Sequence, residues 1–175
     1  MPRHLKGGEC LELSDWIIRS GGSECSDMQF ECFPAIRTDH LHRAFENSDL
    51  GSPCAVVIHV GTNDLRRTGK FYYVMGDVHD LVNTAKSKFL KSRLVLSGVL
   101  QRRDVSWRRI GVVISRYEWV VNALEVAFVD LNSSVDDWDF GSDGLQINRR
   151  GARHLVQLYS RVFGIGSGRQ KMRSE

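Results

Sequence analysis

Short apolar runs recur along the chain, and polar or turn-forming residues separate them. Residues 54–60 are nearly all apolar, which is typical of a parallel strand that is buried on both faces of its sheet. Four further runs predict strands at 9–13, 28–33, 93–99 and 126–131. The pattern therefore predicts a sheet of five strands.

Between these runs, apolar residues recur at spacings of three and four, the period of an amphipathic helix. The longest stripes cover residues 71–89 and 110–124, a short helix is predicted at Thr38–Asn47, and a last helix begins near Arg150. Residues 15–20 open a helix or a turn. Strands that alternate with helices form parallel sheets covered on both sides. We therefore predict an α/β protein with three α/β/α layers, a five-stranded parallel sheet and a flavodoxin-like fold.

The length of 175 residues suits one domain with a sizeable core. We expect a flexible N-terminus at 1–8, the domain at 9–163 and a disordered, basic, Gly/Ser-rich tail at 164–175. No apolar run approaches the roughly 20 residues that span a bilayer, and no signal-peptide pattern is visible. The four cysteines have no CxxC spacing, which is typical of buried thiols in a reducing compartment. These features predict an intracellular, cytoplasmic protein.

Two polar blocks stand out against the apolar pattern. The first directly follows the run 54–60 and consists of Gly61, Thr62, Asn63 and Asp64. The second covers residues 140–151 and contains Asp143 and Gln146. Ligands of parallel α/β sheets bind at the carboxyl ends of the strands, so the first block is a candidate site.

These blocks resemble those of the SGNH (GDSL-type) hydrolases, and the resemblance covers roughly residues 9–163. Gly61 to Asp64 is similar to the family's Gly-x-Asn-Asp block, which implies that Asn63 helps to form an oxyanion hole. Asp143 matches the aspartate that orients the catalytic histidine of the family. Gln146 stands at the position of that histidine.

The opening blocks carry the same resemblance with further changes. Ser14 replaces the glycine of the family's Gly-Asp-Ser block, Asp15 matches its aspartate, and Trp16 stands at the nucleophilic serine. Ala35 takes the place of the glycine in the second block, which implies a backbone oxyanion donor. An alanine keeps that N–H if the backbone conformation allows a Cβ.

The chemistry of acyl transfer decides what these substitutions mean. The reaction needs a nucleophile, a base within hydrogen-bond reach and donors for the developing oxyanion. The indole of Trp16 cannot attack a carbonyl, and the amide of Gln146 has no useful basicity near neutral pH. Losing the nucleophile alone costs about as much as losing a whole triad, so the second loss fits relaxed selection on catalysis.

The sequence therefore predicts an esterase fold without competent hydrolysis. The alternative is an active esterase with a reorganised site, which needs another serine and a base other than Gln146. The serines near the site are Ser14, Ser20 and Ser142. Reaching the nucleophile position from any of them requires a rebuilt loop.

The wording of several blocks is more similar to one branch of the family. The segments at 58–64, 96–100 and 143–151 resemble the esterase domains of first-reading-frame proteins from vertebrate non-LTR retrotransposons. This resemblance implies an element-derived chain, a role linked to RNA packaging and contact with lipid. The coiled-coil heptads and CCHC zinc knuckles expected of such proteins are not visible in the sequence.

Basic residues cluster near the loops that are expected to surround the cleft. These arginines form a possible anion-binding rim, with Trp107 among them as a stacking platform for a base: Arg66, Arg67, Arg102, Arg103, Arg108, Arg109, Arg149, Arg150 and Arg153. Acidic residues at 136, 137, 139 and 143 lie on the same side, and the net charge is only +3. RNA or another anion is thus one open partner, an acyl or ester ligand is the other, and a simply solvated rim is the alternative to both.

The histidines predict no metal site. His59 lies inside the buried strand and reads as a core residue, while His154 reads as a surface or packing residue. His40 and His42 are two positions apart on a helix and do not share a face. The family resemblance also implies no metal and no cofactor.

Overall fold

The computed structural model describes residues 10–14, 28–32, 36–66 and 71–163, with side chains for 36–65 and 75–163. The strands are β1 (Cys10–Ser14), β2 (Met28–Cys32), β3 (Ala55–His59), β4 (Arg93–Ser97) and β5 (Ala127–Val129). The helices are α1 (Thr38–Asn47), α2 (Phe71–Lys88), α3 (Trp107–Leu124) and α4 (Arg149–Phe163). Single turns of 3-10 helix cover Asp64–Arg66, Leu131–Ser133 and Asp137–Asp139.

The strands form one sheet in the order β2-β1-β3-β4-β5, and every neighbouring pair is parallel. This is the order of flavodoxin-like doubly wound sheets. The predicted α/β class is confirmed. None of the helices within the described residues is long and apolar enough to cross a membrane.

The surroundings of strand β3 explain why its sequence is nearly all apolar. Val56 and Ile58 belong to a core cluster shared with α1, α2 and α3. Ala55 and Val57 belong to a second cluster shared with α4. Successive side chains of a strand point to opposite faces, so both faces of β3 are covered and an alternating polar pattern is excluded.

Polar caps set the starts of two helices. Ser106 Oγ accepts a hydrogen bond from Arg109 N, so α3 begins at Trp107, three residues before its apolar stripe. Asn148 Oδ1 accepts hydrogen bonds from Arg150 N at 2.8 Å and Gly151 N at 3.0 Å, which caps the start of α4. An apolar period does not mark such positions.

The strand predicted at 126–131 is too long. Strand β5 ends at Val129 because the side chain of Asp130 accepts a hydrogen bond from Asn132 N and starts a 3-10 turn. Asn132 Nδ2 then donates to Val99 O at 2.8 Å, which ties this turn to the end of the neighbouring strand segment. The other strand boundaries coincide with the prediction or differ from it by one or two residues, as strand ends commonly do. Cys54 is half-buried rather than buried.

Several predictions lie outside the described residues. They are the flexible N-terminus at 1–8, the helix or turn at 15–20 and the disordered tail at 164–175.

Candidate functional site

The register of the sheet brings the ends of its strands into one row. Across the carboxyl edge the paired residues are Cys32, Ser14, His59, Ser97 and Val129. The block with Asp15 and Trp16 and the block with Ala35 directly follow strands of this row, but these three residues lie outside the described residues. The turn after β3 is described in full. The three strands that these blocks follow, β2, β1 and β3, therefore end next to one another at the carboxyl edge of the sheet.

Gly61 opens the turn after β3 in a conformation that favours glycine. Its φ is 104°, and a Cβ at this position would lie 2.0 Å from Tyr117 Oη. That hydroxyl donates a hydrogen bond to Val60 O at 2.9 Å. Gly61 O in turn accepts from Asp64 N at 3.0 Å and closes the turn. The glycine is required because α3 packs its tyrosine hydroxyl against the backbone.

The side chains of Asn63 and Asp64 in this turn bind different partners. Asn63 Nδ2 donates to Ile36 O at 3.1 Å, which ties the turn to the residue after Ala35. Asp64 is buried, and its Oδ2 accepts from Thr38 N at 3.0 Å and Thr38 Oγ1 at 2.7 Å. Asp64 thus satisfies a backbone N–H at the start of α1, whose own N-cap residue, Arg37, makes no capping hydrogen bond through its side chain. Sequence reasoning listed Asp64 only as a block neighbour.

A buried polar chain lies directly below this edge. His59 Nδ1 is 3.0 Å from Ser97 Oγ, and Ser97 Oγ is 3.0 Å from Tyr159 Oη. All three residues are fully buried. Burial lowers the pKa of His59 to about 4, so the imidazole is neutral near pH 7. The prediction of a core histidine is confirmed, and solvent does not reach this Ser–His pair.

The turn at Asp143 is held by local hydrogen bonds, two of them from backbone N–H groups to the Asp143 carboxylate. Asp143 Oδ1 accepts from Leu145 N at 2.9 Å and from Gln146 N at 3.3 Å. The hydrogen bond from Leu145 N, followed by that from Gln146 N, holds the pKa of the Asp143 carboxyl below its usual range. Gly141 N donates to Gln146 O at 2.7 Å and closes the turn. Asp143 and Gln146 are both exposed, and no hydrogen bond within the described residues joins them to Asn63.

A cavity of about 100 Å³ lies beside this turn. Its walls come from the loop after β4, from the start of α3 and from the residues around Asp137–Asp139 and Gly144. The lining residues are Gln101, Arg102, Arg103, Trp107, Asp137, Phe140 and Gly144. Gly144 has a φ of 63°, and the Arg103 side chain lies 2.3 Å from the place of its Cβ. The structure therefore brings two of the rim arginines and Trp107 to the block of Asp143.

The rim arginines differ in how far acidic partners neutralise them. Arg102 binds Asp104 through two hydrogen bonds, of 2.8 and 2.9 Å, and its side chain is only 7% exposed. Arg150 pairs with Asp136 at 3.3 Å and Asp139 at 3.4 Å. Arg103 lines the cavity beside the Asp143 turn. The remaining arginines lie within the first five residues of α3 or α4: Arg108, Arg109, Arg149 and Arg153. The side chain of Arg66 and the whole of Arg67 lie outside what is described.

Sequence reasoning missed one pair of titratable groups. His154 Nδ1 lies 3.0 Å from Oδ2 of the buried Asp139, so His154 is more than a packing residue. The two positions are 15 apart in the chain, and no motif links them. His40 and His42 bind Arg37 and Thr84 instead of each other. No group of three potential metal ligands occurs among the residues the structure describes.

No protein-family model and no curated protein matches the chain. Solved structures do match it. A GDSL-like lipase from Bacteroides thetaiotaomicron has a TM-score of 0.74 at 20% identity, with 90% of this chain and 88% of that chain covered. A member of the lipolytic protein G-D-S-L family from Veillonella parvula has a TM-score of 0.69 at 14% identity, with 89% and 98% covered.

A third match is a psychrotrophic esterase, EstA from Pseudoalteromonas, in a structure inhibited by monoethylphosphonate. Its TM-score is 0.66 at 13% identity, and the match covers 90% of this chain and 99% of that chain. Identities this low are informative about the fold alone. The chain thus has the α/β fold of the GDSL-type lipolytic hydrolases.

Proposed function

We propose that this chain is an SGNH-hydrolase-like domain that no longer hydrolyses esters at the family site. The observation that carries the proposal is the turn at Asp143. The carboxylate keeps its place in a hydrogen-bonded turn, while the residue three positions on is the amide Gln146. An amide cannot take the proton of a nucleophile. Trp16, at the position that resembles the nucleophile's, has no hydroxyl group and cannot act as a nucleophile.

The remaining groups suit binding better than bond cleavage. Asn63 has a second amide N–H beyond the one that binds Ile36 O, and it remains a donor for an ester carbonyl. We therefore propose that the cleft of the family site binds an acyl or ester ligand without hydrolysing it. We also propose an intracellular protein derived from a retrotransposon first-reading-frame protein, on the resemblance of its blocks.

The test compares four preparations of the chain on a short-chain aryl ester. They are the unmodified chain, the double variant Trp16→Ser/Gln146→His, the double variant Trp16→Ala/Gln146→Ala, and the first double variant with Asp143→Ala added. We expect hydrolysis by the Ser/His variant alone, with a marked loss when Asp143 is removed. The Ala/Ala variant controls for opening the cleft without restoring the chemistry.

Two outcomes would contradict the proposal. Hydrolysis by the unmodified chain that survives Asn63→Ala and Asp143→Ala would place the chemistry elsewhere. Covalent labelling of the unmodified chain by a fluorophosphonate would support the alternative, an active esterase with a reorganised site. If every folded variant is inactive, the resemblance holds for the fold only.

A second candidate is an RNA- or anion-binding module. The observation that favours it is the position of Trp107, which is 61% exposed and lines the cavity together with Arg103. An exposed aromatic ring beside a cation is a stacking platform for a base. Asp104 and Asp137 weigh against it because they place negative charge at the same rim. A salt-dependent shift with single-stranded RNA that Trp107→Ala weakens would support this candidate.

A further inference from the structure

A second constellation of polar side chains lies along α4. Its anchor is Asp139, whose side chain is 1% exposed. Asp139 Oδ2 accepts from Asp136 N at 3.0 Å and contacts His154 Nδ1 at 3.0 Å. A carboxylate only accepts, so Nδ1 carries the proton and donates. The imidazole is therefore held in one orientation, with Nε2 left for another partner.

The His154 side chain lines a cavity of about 290 Å³ on the flank of α4. The other lining residues are Ser134, Gln157, Leu158 and Arg161. Four of the five stand at positions i, i+3, i+4 and i+7 on α4, so they share one face of the helix. Ser134 comes from the turn that follows β5. The cavity is thus built from two separate segments of the chain.

The polar groups of this cavity have no partners among the residues that the structure describes. Within the described residues, no hydrogen bond or ion pair engages the Ser134 hydroxyl, the Gln157 amide, the Arg161 guanidinium or His154 Nε2. No acidic residue lines the cavity. The nearby charge of Asp139 is balanced by Arg150, whose Nε lies 3.4 Å from Oδ1. The site therefore presents one full positive charge and several unused donors.

We propose that this cavity binds a small oxyanion of the phosphate class. Arg161 supplies the charge and a two-pronged donor, which matches the geometry of a phosphate. Ser134 and Gln157 supply neutral donors. His154 Nε2 accepts from a protonated phosphate oxygen. The volume lies at the lower end of small-molecule sites, which fits a ligand of few atoms.

This site is distinct from the rim at the carboxyl edge of the sheet. Arg93 at the start of β4 donates to Phe163 O at 2.9 Å, so the end of α4 lies at the opposite, amino edge. Arg161 is two residues before that end. The inference therefore does not depend on the family site or on the proposed loss of hydrolysis.

The test is a titration of the full chain with inorganic phosphate in a phosphate-free buffer, followed by calorimetry and by the side-chain NMR signals of His154 and Arg161. We expect saturable binding, and Arg161→Gln should raise Kd at least about tenfold because it removes a charge-assisted contact. Lys91→Gln is the matched control, because it removes one exposed positive charge elsewhere. It should leave Kd within about twofold.

His154→Asn gives a second variant, checked for folding by its thermal midpoint. It should weaken binding while Lys91→Gln does not. No saturable binding to the unmodified chain, or equal weakening by Arg161→Gln and Lys91→Gln, would overturn the proposal. Vesicles of phosphatidylcholine with and without phosphatidic acid identify the source of the phosphate. Binding to free phosphate indicates a soluble ligand, and Arg161-dependent binding to phosphatidic acid vesicles alone indicates a lipid headgroup.

Discussion

The turn at Gly61–Asp64 and the turn at Asp143–Gln146 resemble in sequence two blocks of one enzyme family, yet they are built differently. In the first, Asp64 is buried and reaches 26 positions along the chain to Thr38. In the second, Asp143 is exposed and binds backbone N–H groups two and three positions ahead. The Asp64 side chain thus connects distant parts of the chain, whereas the Asp143 side chain makes local hydrogen bonds.

This difference changes what a retained motif means. Asp64 and Gly61 are needed for packing whether or not the chain hydrolyses anything, because α1 and α3 both depend on them. Gln146 lies on an exposed turn, and its hydrogen bonds within the described residues use its backbone N and O, so its side chain can be replaced without unfolding the protein. A Gly-x-Asn-Asp block is thus a sign of the fold before it is a sign of catalysis.

The largest effect is expected from a methyl group at the first turn. Gly61→Ala combines a positive φ with a Cβ 2.0 Å from Tyr117 Oη, so we expect a loss of about 4 kcal/mol in the free energy of unfolding, measured by urea titration. Gly144→Ala should cost about 1 kcal/mol, because the flexible Arg103 side chain can move away.

The double variant Gly61→Ala/Tyr117→Phe keeps this prediction testable if the single variant does not fold. Removing the hydroxyl relieves the clash and leaves the backbone strain, so part of the loss should be recovered. Equal losses for Gly61→Ala and Gly144→Ala would show that the two turns do not differ as described.

The two aspartates offer the next comparison. Asp64→Ala leaves the buried N–H and hydroxyl of Thr38 without their acceptor, and we expect a loss of about 3 kcal/mol. Asp143→Ala should leave the urea midpoint nearly unchanged, because water replaces the carboxylate at an exposed turn. A larger loss for Asp143→Ala than for Asp64→Ala would reverse the assignment of the two turns.

The smallest of the three effects is the pH dependence of stability that buried His59 causes. The pKa of His59 is about 4 in the folded state and 6.5 unfolded, so the unfolded state binds more protons between these values. Stability is fully present above pH 6.5 and falls as the pH drops towards 4. Between pH 7 and pH 5 we expect a loss of about 2 kcal/mol from this group.

The pH measurement needs two variants and a direct probe. His59→Gln should remove this part of the pH dependence, whereas His79→Gln, at a half-exposed position, should keep it. An NMR titration of the unmodified chain gives the pKa of His59 directly. A value near 6.5 would refute the prediction even if His59→Gln does not fold.

Local sequence patterns predicted many of the helices and strands. The apolar stripes at 71–89 and 110–124 predicted α2 and α3, and the run 54–60 predicted β3, because period and burial are written in the residue types. The end of β5 was wrong, because Asp130 and Asn132 form a turn that an apolar count at 126–131 does not register. Resemblance pointed to the turns of Asn63 and Asp143, but not to what their side chains bind.

By itself, the sequence determined the α/β class and the turn after β3, and its resemblance to the hydrolase family predicts that Trp16 and Gln146 replace the serine and the histidine. Only the tertiary structure decided that Asp64 caps a helix, that Asp104 neutralises Arg102, and that Asp139 orients His154. The physical reason is the range of the interactions. Periodicity and turn chemistry act within a few residues, whereas a hydrogen bond between distant side chains exists only after packing has brought them together.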